Sequence, residues 1–361
     1  MKRPAGDRAV TGGAVTDGAV TDGAVTDGAV TDGAVTPSSG GRVVVTRALP
    51  SAWLDPLVEA GLELDVIDQD DAPTAAELHA RVRGATALWV MLGDRVDAAL
   101  LDAAGPQLRV VATFSVGFDH VDLAACRARD VAVANTPDVL TNATADLAMA
   151  LLLALGRRLR EGETLLRSGT WAGWGPQQLL GHDIDGARVL VVGPGRIGSA
   201  FARRVQAFGA HLAYHGRRAR PEFEAAVDAH FEPDLDAALA RSDIVSLHAP
   251  LTDSTRHLLD ARRLRLLPRG ALLVNTARGP LIDEEALVQV LRDGHLGGAA
   301  LDVFEREPLV HPGLLELPNV VLLPHLGSAT RGTRQTMAAL LTGAITTVLR
   351  GGRPANLVNT G

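Results

Sequence analysis

The stretch VLVVGPGRIGSA, residues 189–200, decides the fold class of this chain. Its apolar start predicts a buried strand. Residues 193–198 then match the Gly-x-Gly-x-x-Gly pattern, with Gly193, Gly195 and Gly198 in the glycine positions. These glycines permit a tight turn, let the backbone approach a pyrophosphate and let the following helix pack on the strand. The N–H groups at the helix start then face the phosphates. The stretch therefore predicts a dinucleotide site inside a βαβ unit.

Strand and helix patterns alternate on both sides of this turn. Strands are predicted before it at 43–46, 62–67, 87–92, 108–114 and 131–134, and after it at 211–215, 244–248, 271–275, 299–303 and 320–323. A long helical stretch over 140–167 separates the two sets. Such alternation is typical of parallel sheets with crossover helices. We therefore predict an α/β fold with two Rossmann-like or flavodoxin-like lobes and an interdomain cleft.

Domain boundaries follow from this pattern. Residues 9–36 repeat Ala-Val-Thr-Asp-Gly with little variation, which disfavours both helix and strand and predicts a disordered low-complexity tail over 1–41. The pattern of the last helix is compatible with either lobe. We assign residues 42–140 and 324–353 to a discontinuous substrate domain, and residues 141–323 to the dinucleotide-binding domain.

Composition excludes several classes of function. A formal charge of −7 argues against a nucleic-acid binder, and the longest apolar run, 147–155, is too short to span a bilayer. The only lysine is Lys2, so Schiff-base and P-loop lysine chemistry are not expected. The single cysteine, Cys126, forms no internal disulfide and no thiolate zinc site. We expect a cytoplasmic protein with no metal site.

The choice of dinucleotide depends on the end of the second strand after 189–192. An NAD site usually carries an acid there, which accepts hydrogen bonds from the ribose hydroxyls. Here the strand over 211–215 runs into Gly216-Arg217-Arg218, with no carboxylate. Arginines at this point suit the 2′-phosphate of NADP(H), although solvated surface arginines are the alternative. We predict that NADP(H) is preferred and that NAD(H) is possible.

Three polar residues follow the last three predicted strands: Arg278, Glu307 and His325. Ligands of open α/β sheets bind outside the carboxyl ends of the strands, so these residues are candidates for catalysis. Taken singly, each also has a structural interpretation, as a surface arginine, a loop carboxylate or a packed histidine. Spacing alone does not show that they converge.

Several ordered motifs add a resemblance. The chain resembles the D-isomer-specific 2-hydroxyacid dehydrogenases over nearly all of residues 42–353, and within them the glyoxylate/hydroxypyruvate and 2-ketogluconate reductases. The matching stretches are Ser115–His120, Asn135–Thr141, Gly193–Gly198, His248–Thr252, Asn275–Pro280, Leu301–Phe304 and Pro324–Thr330.

The resemblance implies that Arg278, Glu307 and His325 form a catalytic set. Arg278 would bind the carboxylate of a 2-oxo acid and polarise its ketone, a task suited to a planar, permanently charged donor. His325 would give the proton as hydride reaches the carbonyl carbon, and Glu307 would orient the ring and keep that proton available. The implied reaction is NAD(P)H-dependent reduction of a small 2-oxo acid to the D-2-hydroxy acid.

The resemblance also implies binding residues. Backbone N–H groups of Val116 and Gly117, helped by Leu92 and Gly93, would cradle the substrate carboxylate. Besides the glycine turn and the two arginines, the implied cofactor residues are Thr144, Arg196, Ile197, Pro250, Thr255, Thr276, Ala277, Asp302 and Gly327. Asp302 would contact the nicotinamide carboxamide. Trp174 would reach the neighbouring subunit's active site or pack a dimer interface, and both interpretations imply a homodimer.

Two alternatives stay open at this stage. A 2-ketoaldonate reductase is the neighbouring enzymatic interpretation. A non-catalytic, dinucleotide-sensing protein of the co-repressor kind is the alternative from another class, because such relatives retain the catalytic set.

Overall fold

The computed structural model of the chain describes residues 40–359. The predicted tail lies outside these residues up to position 39. The strands are β1 (Arg42–Val45), β2 (Glu63–Val66), β3 (Ala87–Val90), β4 (Val110–Thr113), β5 (Ala132–Ala134), β6 (Arg188–Val192), β7 (His211–His215), β8 (Ala229–Phe231), β9 (Ile244–Leu247), β10 (Leu272–Asn275), β11 (Gly298–Leu301) and β12 (Val320–Leu322).

Thirteen α-helices lie within the same residues. They are α1 (Ser51–Glu59), α2 (Ala75–Arg81), α3 (Ala98–Ala104), α4 (Leu123–Ala128), α5 (Thr141–Gly156), α6 (Leu159–Arg167), α7 (Arg196–Gln206), α8 (Pro221–Val227), α9 (Leu235–Leu239), α10 (Ala261–Leu266), α11 (Glu284–Arg292), α12 (Pro312–Leu315) and α13 (Arg331–Leu349).

The strands form two sheets in two domains. One sheet has five strands in the order β2-β1-β3-β4-β5, and the other has seven in the order β12-β11-β10-β9-β6-β7-β8. All neighbouring strands within each sheet run parallel. Most of the strands are apolar and fully buried because helices cover both faces of each sheet. The predicted α/β fold is confirmed.

The two long helices pack on different sheets. Helix α5 contacts α7, β10 and β11 and places Ala145, Ala148 and Leu152 in the core of the seven-stranded domain. Helix α13 contacts α1 and β4, and its Leu341 and Ile345 share a core with Trp89 of the five-stranded sheet. The chain thus crosses from one sheet to the other after β5 and returns after β12.

The single helix predicted over 140–167 is wrong, because it is two helices. Helix α5 ends at Gly156, and Arg158 takes the left-handed conformation with φ of 53° before α6 begins. A left-handed L-residue cannot continue a right-handed helix. Arg158 then binds Glu161, with Nη2 to Oε2 at 2.5 Å, and so fixes the first turn of α6.

Several short elements had no prediction. They are α8, β8, α10 and α12, each seven residues or fewer. Asp302, predicted on a strand, lies immediately after β11. Within the described residues, no helix is both long and apolar enough to cross a membrane.

Candidate active site

The predicted acid, His325, lies just after β12 and is held in an unusual backbone conformation. Its φ is 54°, a left-handed value that non-glycine residues rarely adopt. The ring Nδ1 lies 2.8 Å from Glu307 Oε2. A carboxylate only accepts hydrogen bonds, so Nδ1 carries the proton of this bond. Nε2 has no hydrogen-bond partner among residues 40–359 and is left for a ligand.

Glu307 is ordered by its own loop as well as by the histidine. Its Oε1 accepts the Phe304 N–H at 2.9 Å. Burial alone would raise the pKa of Glu307, but the His325 hydrogen bond, the charges of His325 and Arg278, and the Phe304 N–H together hold this pKa below its usual value. The carboxylate is therefore ionised at neutral pH and fixes the orientation of the imidazole.

The Asp302 carboxylate holds the backbone of the loop that carries His325. The side chain is 1% exposed, and its two oxygens accept the N–H groups of Leu326 at 2.6 Å and Gly327 at 2.8 Å. Burial raises the pKa of Asp302 to about 6. The Thr144 hydroxyl donates to the Gly327 carbonyl at 3.0 Å, which ties α5 to this loop. The predicted cofactor residues Thr144, Asp302 and Gly327 are thus neighbours, and they position His325.

Arg278 follows β10 in a turn that Asn275 organises. The Asn275 amide donates to the Arg278 carbonyl at 2.9 Å, and its oxygen accepts the Ala277 N–H at 3.0 Å. Gly279 is packed so closely that a Cβ would overlap the Phe304 backbone, which brings this turn against the loop of Glu307. The guanidinium Nε donates to Asp119 Oδ1 at 2.8 Å.

The structure brings the three predicted catalytic residues to one edge. Strands β10, β11 and β12 are adjacent and parallel, so the segments that carry Arg278, Glu307 and His325 leave the sheet side by side. The charge of Arg278 acts directly on the Glu307 carboxylate. A permanent cation, an ionised carboxylate and an imidazole therefore share one site.

The predicted substrate loop of the five-stranded domain faces this cation. A Cβ on Gly117 would overlap Arg278 Nη2, so the guanidinium lies directly on the Gly117 backbone. Within the described residues the N–H groups of Val116 and Gly117 have no hydrogen-bond partner. Arg278 and these two N–H groups form a concentrated set of donors that suits a carboxylate.

Leu92 and Gly93 follow β3, the strand beside β4 from which the substrate loop departs. Their turn is fixed by Asp94, which is buried. Its Oδ2 accepts the Thr46 hydroxyl at 2.5 Å and the Met91 N–H at 2.7 Å. The turn is therefore rigid and lies at the same edge as the substrate loop.

The glycine turn has the geometry that a pyrophosphate requires. Gly193 has φ of 91°, and a Cβ there would press on the Ala249 backbone at 2.7 Å. A Cβ on Gly198 would overlap the Gly193 carbonyl, whereas one on Gly195 would meet no atom within 4 Å. Gly195 caps α7, so the first N–H groups of that helix open onto this free space. The residues fit a dinucleotide.

Comparison with known proteins agrees with this geometry. Residues 149–327 match the family model described as the D-isomer specific 2-hydroxyacid dehydrogenase, NAD binding domain. A glyoxylate reductase from Thermococcus onnurineus is 44% identical over 322 residues, which cover 88% of this chain and 96% of that protein. The chain belongs to the D-isomer-specific 2-hydroxyacid dehydrogenase family.

Solved structures support the same membership. A protein from Thermus thermophilus aligns with a TM-score of 0.82 and 48% identity over 88% of this chain and 99% of that one. An NADPH-dependent glyoxylate/hydroxypyruvate reductase from Sinorhizobium meliloti, in complex with NADP and malonate, aligns with a TM-score of 0.78 and 36% identity over 89% and 97%. As a family member, this dehydrogenase is an oxidoreductase of 2-hydroxy acids that binds a nicotinamide dinucleotide.

The remaining cofactor residues of the dehydrogenase lie along the carboxyl edge between the turn and Arg278. Pro250 and Thr255 follow β9, and the Thr255 hydroxyl donates to the Pro250 carbonyl at 2.7 Å. Thr276 and Ala277 precede Arg278, and Ile197 lies in the first turn of α7. Since β10, β9 and β6 are neighbours, these residues lie along one edge of the seven-stranded sheet.

Four arginines near the turn differ in their contacts, and one of them, Arg220, donates from Nη1 to the Pro194 carbonyl. Arg217 and Arg218 are exposed beyond the end of β7 and have no ion-pair partner in the part of the chain that the structure describes. Gly216 contacts Pro194 of the turn, which places this segment beside it. Arg196 instead forms an ion pair with Asp138, on the segment that links the two domains.

The segment around Trp174 carries exposed apolar side chains. Trp174 is 83% exposed, and Trp171 and Leu180 are also exposed. Trp171 Nε1 donates to Gln178 Oε1 at 3.3 Å, which orders the loop. Trp174 does not join Arg278 or His325 within this chain.

Sequence reasoning gave no role to the residues that hold the site together. Asp119 lies inside a recognised motif, yet its partner Arg278 is 159 positions away. Asn275 and Asp94 work through backbone groups of their own turns. Asn275 ends β10, whereas Asp94 and Asp119 lie in the loops after β3 and β4, so these residues share no local signal beyond their place at the carboxyl ends of strands.

Proposed function

We propose that this protein is an NADPH-dependent reductase of small 2-oxo acids of the glyoxylate or hydroxypyruvate type, forming the D-2-hydroxy acid. One observation carries the proposal. Arg278 lies against Gly117 of the substrate loop, whose Val116 and Gly117 N–H groups have no partner among residues 40–359, and it leaves the sheet beside the His325–Glu307 pair. Donors for a carboxylate and an acid for the adjacent carbonyl oxygen are thus held in one site.

Substrate binding divides between the two domains. The Val116 and Gly117 N–H groups and Arg278 Nη2 would receive the carboxylate of the 2-oxo acid. Asp119 occupies the Nε of Arg278 and leaves Nη2 for this task. The same guanidinium would polarise the ketone, because a fixed positive charge stabilises the developing oxyanion. Leu92 and Gly93 would bound the far end of the substrate.

His325 would supply the proton. A nicotinamide, when bound, supplies the hydride. Glu307 accepts from Nδ1, so the His325 proton that transfers is the one on Nε2, which has no partner in the described chain. The carboxylate of Glu307 also stabilises the charged imidazole before transfer. A positioned acid of this kind contributes about 10²–10⁴ in rate.

Preference for NADPH is supported by the segment after β7. The segment over 214–218 contains no carboxylate to accept hydrogen bonds from the ribose hydroxyls. Arg217 and Arg218 are exposed beside the glycine turn without competing ion pairs among residues 40–359. A 2′-phosphate between them would gain charge-assisted hydrogen bonds. The Sinorhizobium meliloti relative is named as NADPH-dependent and was solved with NADP.

The direct test is turnover by the purified full-length protein. Glyoxylate, hydroxypyruvate and 2-ketogluconate would each be offered with NADPH and with NADH. Oxidation of the reduced cofactor would be followed by its absorbance. We expect the highest kcat/KM with NADPH and glyoxylate or hydroxypyruvate, and a D-configured product from hydroxypyruvate. His325→Asn is the control for enzyme-catalysed oxidation. Preference for 2-ketogluconate would favour the aldonate reductase, and no oxidation with any acid would favour a dinucleotide-sensing binding protein.

We also propose a homodimer in the cytoplasm. Exposed Trp171, Trp174 and Leu180 form an apolar surface of the kind that a second subunit covers. Light scattering coupled to size exclusion would give the mass. Trp174→Ala should raise KM for the 2-oxo acid if the side chain reaches the neighbouring active site. An unchanged KM with a weaker dimer would leave it an interface residue.

We propose the domain boundaries predicted from the sequence, with the substrate domain extended past residue 353 to include the segment over 356–359, which pairs with β5. Substrate-domain residues 42–140 and 324–353 are supported by the packing of α13 on the five-stranded sheet. Dinucleotide-domain residues 141–323 are supported by the packing of α5 on the seven-stranded sheet. Limited proteolysis at the two crossings would test them.

A further inference from the structure

The substrate loop takes part of its geometry from a residue outside it. Asn135, just after β5, donates from Nδ2 to the Val116 carbonyl at 2.8 Å. The Val116 carbonyl and the Gly117 N–H belong to one planar peptide unit and point in opposite directions. Fixing the carbonyl therefore fixes the direction of the Gly117 N–H. The bond to the carbonyl also polarises the peptide and strengthens its N–H as a donor.

The next peptide of the loop is held differently. Ser115 Oγ donates to the Gly117 carbonyl at 2.6 Å, and this hydroxyl lies 2.8 Å from Thr113 Oγ1. Both partners belong to β4 or its immediate extension. The peptide unit that carries the Gly117 N–H therefore depends on the Asn135 side chain, and the unit before it, whose Ser115 carbonyl accepts the Thr136 N–H at 2.9 Å, depends on the backbone of the next residue.

Asn135 is itself fixed by a segment far along the chain. Its N–H donates to the Asn356 carbonyl at 3.1 Å, and Asn356 Nδ2 donates to the Asn135 carbonyl at 2.7 Å. Asn135 is 5% exposed. Its backbone N–H, its carbonyl and its side-chain Nδ2 are therefore all engaged, which holds the amide toward Val116.

The segment over 356–359 forms an added antiparallel partner for β5. Leu357 pairs with Ala134, and the Val358 N–H donates to the Val133 carbonyl at 2.8 Å. Asn359 accepts the Val133 N–H at 2.9 Å and donates to the Val131 carbonyl at 2.7 Å. Asn356 and Asn359 thus hold the two ends of one strand, and only Asn356 touches Asn135.

We propose that Asn135 and Asn356 are positioning residues that set the affinity of the active site for the substrate carboxylate. Asn356 fixes Asn135, and Asn135 aims the Gly117 N–H at the space beside Arg278 Nη2. The proposal rests on the proposed function, in which this N–H receives the carboxylate. It assigns a role in substrate binding to the segment over 356–359, which no motif of the active site includes.

Three single variants test it: Asn135→Ala, Asn356→Ala and, as the matched control, Asn359→Ala. The control removes two hydrogen bonds from the same strand pair, whereas Asn356→Ala removes one. A merely structural role therefore predicts the larger effect for Asn359→Ala. We expect KM for the 2-oxo acid to rise about tenfold in Asn135→Ala and about threefold in Asn356→Ala. In the Asn359→Ala control, KM for NADPH and KM for the 2-oxo acid should both stay unchanged.

Binding of oxamate to the enzyme with NADPH, followed by calorimetry, gives a readout that needs no turnover. The same order of weakening is expected, with melting temperatures no lower in Asn356→Ala than in Asn359→Ala. Equal changes in KM and in oxamate affinity for the Asn356 and Asn359 variants would overturn the proposal, as would an unchanged Asn135→Ala. If Asn135→Ala does not fold, the Asn356 and Asn359 variants decide. A wild-type protein that binds oxamate but reduces no 2-oxo acid would overturn the proposed function instead.

Discussion

The dehydrogenase contains two loops to which the proposed function assigns anions, and they are built in opposite ways. The dinucleotide turn over 193–198 is largely local, since Gly198 packs on the Gly193 carbonyl and α7 follows at once, although Gly193 also packs on the Ala249 backbone after β9. The substrate loop over 115–120 is assembled from distant parts. Its donors are aimed by Asn135, and its cation, Arg278, comes from the other domain.

This difference decides what each loop reveals in the sequence. A turn that needs glycine at three nearby positions can be recognised from six consecutive residues. A loop that is held by a side chain 19 positions away and paired with an arginine 159 positions away leaves little local signal. The first kind of site can be read from one stretch, whereas the second needs either coordinates or a family resemblance.

The largest effect should come from replacing His325, the proposed proton donor, which belongs to neither loop. His325→Asn should lower kcat by about 10²–10⁴ because the proton donor is lost. The dissociation constant of NADPH, measured by nucleotide fluorescence, should stay within about twofold, since no contact of the glycine turn changes. Loss of NADPH binding would contradict the assigned role.

A pair of glycine variants should separate the two loops. Gly117→Ala places a methyl group on the flexible end of Arg278, so the chain should fold while the guanidinium moves. We expect kcat/KM for the 2-oxo acid to fall by roughly 100-fold, with little change in NADPH affinity, because a charged hydrogen bond and its geometry are lost together.

Gly198→Ala is the matched variant of the dinucleotide turn. Its methyl group would overlap the Gly193 carbonyl, which is backbone and cannot swing away. NADPH affinity and melting temperature should both fall, while the substrate loop is untouched. If the two variants gave the same pattern of kinetic and binding changes, the two loops would not be separate binding elements.

Much of the fold could be predicted because buried parallel strands carry apolar runs and the glycine turn marks its βαβ unit. Prediction failed where a structural feature depends on one residue, on a very short element or on a contact between distant positions. The break at Arg158 depends on one left-handed residue, and α12 is a single short turn. The catalytic set could be named from resemblance, but the roles of Asn135 and Asn356 depend on pairings across more than 200 positions.

Variants of the proposed 2′-phosphate site should have a smaller effect, which is selective for the affinity of one cofactor. Replacing Arg217 and Arg218 together with serine should weaken NADPH by roughly tenfold or more and leave NADH nearly unchanged, since only NADPH carries the 2′-phosphate. Replacing Arg203 on α7 and Arg353 after α13 together with serine, two other exposed arginines, is the control for net charge. Equal losses for the two cofactors would exclude a phosphate clamp and leave both arginines as surface residues.

The smallest effect concerns the ion pair that joins the substrate loop to the other domain. Burial alone would raise the pKa of Asp119, but the charge of Arg278 and its hydrogen bond hold this pKa below the usual 3.8. An acid with a depressed pKa contributes stability that is complete above its unfolded value and is lost as pH falls through its folded value. The free energy of unfolding of Asp119→Asn should therefore lie below that of wild type by under about 1 kcal/mol at pH 6, because the pair is partly exposed. The difference should shrink below pH 3.8.

Asp138→Asn, which breaks the exposed pair with Arg196 beside the dinucleotide turn, is the control and should change stability by less. A difference for Asp119→Asn that grows as the pH falls would show that the Arg278 pair does not stabilise the folded chain.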